Sequence, residues 1–147
     1  MANIFRDEHG REIKVPKVTK KLIKANQNFD TLYNLGTVEL NAGRTSTAFD
    51  CFHAALELGT SKECLLNMAT CYKVLGNEGK AKAILYQLIQ DYPSFPLAYN
   101  NYGLIRYDDG EFEEAIGHYT KAISLMPDYA DAHWNHALAL LIKRFDS

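Results

Sequence analysis

Glycine and alanine fall at fixed distances from one another in three successive stretches of this chain. From Gly36, a glycine follows at 7 residues (Gly43) and alanines at 12 and 19 (Ala48, Ala55). From Gly103 the same offsets reach Gly110, Ala115 and Ala122, and an offset of 24 reaches Pro127. A further copy begins at Ala69 and passes through Gly76, Ala81, Leu88 and Pro93. The origins Gly36, Ala69, Gly103 and Ala137 lie 33, 34 and 34 residues apart. A period of this length marks repeated supersecondary units, each burying its apolar face against its neighbours.

Each copy reads as two helices. Apolar residues recur at helical spacing, as in Leu32, Leu35 and Leu40, or Ala115, Tyr119, Ala122 and Ile123. Gly43, Gly76 and Gly110 stand where one helix should stop and the next begin. Pro93 and Pro127 follow the second helix, where proline prevents its continuation. Gly36 or Ala69 in the first helix, with Ala48, Ala81 or Ala115 in the second, should let the two axes approach. Phe52, Leu85 and Tyr119 would fill the space beside them.

Tyr99, Tyr102 and Gly103, followed by Ala115, Tyr119 and Pro127, carry a resemblance to the tetratricopeptide-repeat (TPR) family. Its repeat of about 34 residues runs aromatic-x2-Leu-Gly-x2-Tyr, then Ala-x3-Phe, then Pro. The resemblance implies an all-α, right-handed solenoid of three helix pairs plus a terminal helix. It covers residues 29–147, with repeats at about 29–61, 62–95, 96–129 and a half repeat at 130–147. The late tyrosine of the first helix is present as Tyr72, but Glu39 and Arg106 stand there in the other two full copies. A charge at that place weakens packing unless it reaches solvent or a partner.

Residues 1–28 form a basic N-terminal extension with seven Lys/Arg against three Asp/Glu, a net of +4 that leaves -6 for the remainder. Ile4 to Val15 fits a β-hairpin turning at Asp7-Glu8-His9-Gly10. Val18 to Asn26 fits a basic amphipathic helix with Val18, Leu22 and Ile23 on its apolar side. The extension would cover the first repeat; its alternative use is contact with an acidic partner or nucleic acid. The whole chain's net charge of -2 gives no strong field for nucleic acid. No apolar run approaches the ~20 residues that span a membrane, and the N-terminus has no signal-peptide core. Cys51, Cys64 and Cys71 suggest free thiols and a cytoplasmic setting.

Four asparagines, Asn34, Asn67, Asn101 and Asn135, occupy one slot of every copy, again 33, 34 and 34 residues apart. In the TPR resemblance the first helices line the concave groove. An amide offers both a donor and an acceptor, matching the N–H and C=O of an extended peptide. The resemblance to TPR arms of some glycosyltransferases implies such a ladder; the alternative is that these amides bond neighbouring backbone. Tyr33, Thr37, Lys73, Leu104, Tyr107 and Trp134 are the flanking groove candidates. The basic clamp of chaperone-binding TPR domains would require lysine at Tyr33, asparagine at Thr37, lysine at Leu97 and arginine at Asn101, and has none of them. His133 and His136 are three residues apart, but no further ligand completes a zinc set. No phosphate loop or nucleophile elbow is present, so no catalytic residue, metal or cofactor is expected. The acids Asp108, Asp109, Glu111, Glu113 and Glu114 suit the start of a helix.

The last helix is unusual. Ala137 to Ile142 is apolar all round, as in a helix buried on both sides, whereas a terminal repeat normally presents a polar face. Leu138, Leu141 and Ile142 are therefore candidates for an oligomer interface, in the simplest case a two-fold homodimer. The expected function is a protein-interaction scaffold or assembly factor that holds an extended peptide in its concave groove. The alternatives are the recognition arm of a larger enzyme such as a glycosyltransferase, or a self-associating structural protein.

Overall fold

The computed structural model describes residues 5–6, 8–13 and 18–146. A small hairpin, β1 (Phe5–Arg6) and β2 (Glu12–Ile13), leads into a short helix α1 (Lys20–Ala25). Seven longer helices follow: α2 (Phe29–Asn41), α3 (Thr45–Leu58), α4 (Lys62–Val74), α5 (Glu78–Asp91), α6 (Pro96–Asp108), α7 (Phe112–Leu125) and α8 (Ala130–Asp146).

The turn inside each helix pair is one structure made three times. Gly43, Gly76 and Gly110 have φ of 82°, 87° and 81°, the left-handed region that a Cβ disfavours. That geometry turns two amides back onto the helix. The Gly43 N–H donates to Leu40 O and the Arg44 N–H to Glu39 O; Gly76 and Asn77, and Gly110 and Glu111, repeat the pattern. Carbonyls that the helix end would leave unpaired are thereby satisfied. The helices that open after loops are held at their starts by Asn28, Ser61 and Asn77, whose side chains accept backbone N–H groups, and by Pro96 in the first turn of α6.

The pairs α2/α3, α4/α5 and α6/α7 pack most extensively, and each second helix also packs on the next first helix, ending with α7 on α8. Inside a pair, size is matched across one slot. A Cβ added at Gly36 would lie 2.6 Å from the Phe52 ring, and one at Gly103 would lie 2.7 Å from the Tyr119 ring. In the middle pair Ala69 has its Cβ, and the facing residue is Leu85, which shares its core. Glycine accompanies a ring, and alanine accompanies a leucine. The first helices also touch one another, α2 with α4 and α6 with α8, while the second helices make no comparable contact. The first helices therefore lie on the inner side of the curve.

Cys51, Cys64 and Cys71 are buried with Leu32 and Phe52 in the first core. Burial pushes each thiol up to about 11. The charges expected to weaken packing find partners. Glu39 is buried and receives both Nε and Nη2 of Arg44, the latter at 3.0 Å. Arg106 lies 3.1 Å from a Glu114 oxygen, donates to the Tyr102 hydroxyl and stacks over that ring.

The extension differs in detail from the sequence expectation. The hairpin pairs Phe5 with Ile13 and Arg6 with Glu12, with Gly10 at φ 77° in the turn. Ile4, Asp7, Lys14 and Val15 lie outside the described residues. Helix α1 starts after Thr19, whose hydroxyl caps Leu22 N–H, so Val18 precedes it. Ile23 is buried against the first core, but Leu22 is half exposed: six residues of helix offer α3 only a narrow contact line.

Gly103→Ala should cost about 1–3 kcal/mol in urea unfolding, because the Tyr119 ring has no room to retreat. Adding Tyr119→Leu recreates the Ala69/Leu85 arrangement and should recover more than 0.5 kcal/mol of coupling, on the order expected for contacting residues. Simple additivity would mean the slot is not the source of the penalty. The thiols give a second test. None of the three cysteines should react with a thiol reagent in the native state near pH 8, and all should react in denaturant. Because folding raises their pKa, their contribution to stability is intact below the unfolded thiol value of about 8.5 and declines as pH rises through it.

Candidate binding groove and terminal helix

Two side-chain bridges show which side of the first helices faces along the inner row. Asn135 of α8 donates its amide to Asn100 Oδ1 of α6 at 3.0 Å, and Lys73 of α4 reaches Asp108 of α6 at 3.1 Å. Residues on this side look toward the next first helix. The opposite side, carrying Cys64 and Cys71, Ala98 and Ile105, or Ala132 and Ala139, is buried against the preceding pair.

The asparagine row divides. Asn34 is exposed, Asn67 and Asn101 are half-buried, and none of the three has a side-chain hydrogen bond among the described residues. Asn135 is half-buried and committed through its amide N–H. It belongs to a chain in which Asn100, only 3% exposed, accepts from Asn135 and donates to the Tyr129 hydroxyl at 3.2 Å. Burial pushes the Tyr129 phenol up, and the donation from Asn100 acts in the other direction. In the sequence Asn100 is marked only by its place directly before Asn101. Its partners are 29 and 35 residues away, and no local pattern reports them.

The flanking candidates also separate. Tyr33 is half-buried, stacked on Phe29 and tilted against Phe52. Thr37 turns its hydroxyl back to Tyr33 O at 3.0 Å, so its donor is used within its own helix. Lys73 is held by Asp108. Leu104 and Tyr107 are half-buried beside the Tyr119 core, with Tyr107 edge-on to Phe112. Trp134 is 68% exposed. The groove is thus polar along α2 and α4 and aromatic or apolar along α6 and α8.

The acidic cluster is absorbed by ion pairs across helices: Lys73 with Asp108, Lys82 with Asp109 at 2.6 Å, Arg106 with Glu114, and Lys143 with Glu113 at 2.8 Å. Lys143 holds the Glu113 carboxyl below its usual range. The histidines are separated as well: His133 bonds Pro127 O at 2.7 Å, while His118 meets the Tyr102 ring edge-on at 4.7 Å, its pKa lowered by burial and then by Arg106.

Helix α8 is not apolar all round in its setting. Ala132 and Ala139 seat it on the preceding pair, and Leu138 and Ile142 are half-buried. Leu140, Leu141, Trp134 and Phe145, the last 78% exposed, look outward. Of the three interface candidates only Leu141 lies fully on the open side, because the narrow contact with α7 and α6 also shelters Leu138 and Ile142. Among the described residues no helix is long and apolar enough to cross a membrane.

Comparison with known proteins agrees with this architecture. Residues 103–141 match a family model described as "TPR repeat", and residues 63–94 match one described as "Tetratricopeptide repeat". These two stretches of the chain are thus tetratricopeptide repeats. The chain is 25% identical over 112 residues to human Tetratricopeptide repeat protein 6, a match that covers 76% of this chain and 22% of that protein. Among solved structures it is similar to MamA, at 28% identity and a TM-score of 0.71, covering 84% of this chain and 74% of the other. The Sgt2 TPR domain from Aspergillus fumigatus shares the fold at 21% identity and a TM-score of 0.72, with 79% of each chain covered. So does the first TPR of Spaghetti (RPAP3) bound to the HSP90 peptide SRMEEVD, at 20% identity and a TM-score of 0.71, covering 80% of this chain and 94% of that one.

Asn100→Ala should strip Asn135 and Tyr129 of their shared partner and cost about 1–3 kcal/mol. Amide hydrogen exchange should rise in α8 more than in α2. Equal acceleration in both helices would show that the network does not hold the terminal helix.

Proposed function

We propose that this chain is a protein-interaction scaffold whose inner groove holds an extended peptide. The observation that carries the reading is the row of Asn34, Asn67 and Asn101, repeated on successive first helices, whose side-chain amides have no hydrogen bond among the described residues. Polar groups left open in a row can pair with the N–H and C=O of a bound backbone. Asn135 contributes its free carbonyl lone pairs rather than its N–H. The peptide's side chains would be selected beyond the row, with apolar or aromatic groups on Leu104, Tyr107 and Trp134. One structural neighbour is bound to the acidic peptide SRMEEVD. An acidic terminus is a poor match here, because Tyr33, Thr37, Leu97 and Asn101 supply no positive charge and Lys73 is already paired with Asp108.

Selection from a random library of twelve-residue peptides tests this. The enriched peptides should carry apolar or aromatic residues and lose at least tenfold in affinity for Asn67→Ala/Asn101→Ala, about 1.4 kcal/mol, with helicity unchanged by circular dichroism. Undiminished binding to that variant would refute the ladder.

A further inference from the structure

Two of the three helix-pair slots are filled by rings, Phe52 at Gly36 and Tyr119 at Gly103, and the rings differ by one hydroxyl. Both side chains are fully buried. Phe52 and Leu85 show that the slot itself asks for no polar atom. Yet the Tyr119 hydroxyl is enclosed and has no hydrogen-bond partner among the described residues. Tyr99, Tyr102 and Tyr129, buried or half-buried nearby, are each partnered. Tyr99 donates to Pro93 O at 2.9 Å, Tyr102 accepts from Arg106, and Tyr129 accepts from Asn100. A buried hydroxyl left unpaired destabilises a fold, and phenylalanine would fill the same space without that cost. Packing therefore does not account for it.

The hydroxyl lies behind the apolar end of the inner groove. Its ring crosses Gly103 and packs with Leu104 and Tyr107 of α6, both half-buried and both part of that end. Burial, and after it the charges of Asp108 and Tyr107, push the phenol's pKa up, so it stays protonated and able to donate. We infer that Tyr119 is a specificity-determining residue of this end of the groove, and that its hydroxyl donates to a neutral carbonyl at the tip of a ligand side chain with an apolar stem. Glutamine, with two methylenes before its amide, has that chemistry. The inference rests on the peptide-groove reading and narrows it. Leu104 and Tyr107 take the stem, and a rotamer change of Tyr107 opens the hydroxyl to the amide. A ligand carboxylate is disfavoured by Asp108 close by. An ammonium group finds no open acid there, because Asp108 is held by Lys73 at 3.1 Å. A wholly apolar side chain leaves the hydroxyl unpaired, which is how a site built to hydrogen-bond rejects an analogue lacking the partner.

Tyr119→Phe tests this in two ways. Removing an unpaired hydroxyl should raise the urea midpoint at unchanged slope. A lowered midpoint would show that the hydroxyl is bonded inside the fold, and would overturn the proposal. The binding probes are the twelve-residue peptides selected on the wild-type protein. They should carry a recurring glutamine and bind Tyr119→Phe at least about tenfold more weakly. Replacing that glutamine with methionine, of similar size, should weaken binding to wild type by a comparable factor. The same replacement should weaken binding to Tyr119→Phe by less than about threefold, the non-additivity expected of a direct contact. Equal affinity for wild type and Tyr119→Phe, with binding still lost in Asn67→Ala/Asn101→Ala, would remove this donor and leave the ladder standing. Binding retained in the asparagine variant, or no enriched peptide at all, would remove the groove reading and this proposal with it.

Discussion

The contact on which the rest of this structure depends is the close approach of two helix axes at a single slot. It occurs three times, with glycine or alanine on the first helix and a larger side chain on the second. Interiors pack at near-crystalline density, so the slot's volume is shared between its two residues and neither can change alone. Once the axes are this close, the buried face of each pair is set, and the next first helix can only settle in the groove that remains. The glycine turns cooperate with it. A left-handed residue at the end of each first helix returns the chain at the angle that brings the slot residues face to face.

Electrostatics are arranged around that packing rather than in competition with it. The most deeply buried acid, Glu39, is met by an arginine from its own turn, so the charge is neutralised where the helix ends. Four further pairs run between helices, and three of them link elements that are not the two halves of one pair. Partly exposed pairs contribute little stability one by one. Their effect is to fix how successive units sit on one another and to remove charge from the inner surface. That surface is left with open amides at one end and aromatic and apolar groups at the other.

The last described helix is held by the same kind of small-residue packing. It is seated by Ala132, Ala139 and the Asn135–Asn100–Tyr129 chain, which ties it to α6 rather than only to α7. Its outward residues Trp134, Leu140, Leu141 and Phe145 are exposed. Trp134, 68% exposed, stands on this helix one residue before Asn135 of the inner row.

The sequence by itself determined the repeat period, the pairing of helices and the places where the chain turns. These depend on residues close in the chain: a glycine at a helix end, a proline after one, and small residues at fixed offsets. It also placed the four asparagines in one row, because an exact repeat carries equivalent residues to equivalent faces. Only the tertiary structure decided which of them stay open. Asn135 is bound because Asn100 lies opposite it, and Lys73 is taken by Asp108, although nothing near either residue in the chain signals the pairing. The same holds for α8, whose composition suggested burial on every side. How much of it is covered depends on how far α7 reaches, a property of two helix axes in space that no run of residues encodes locally.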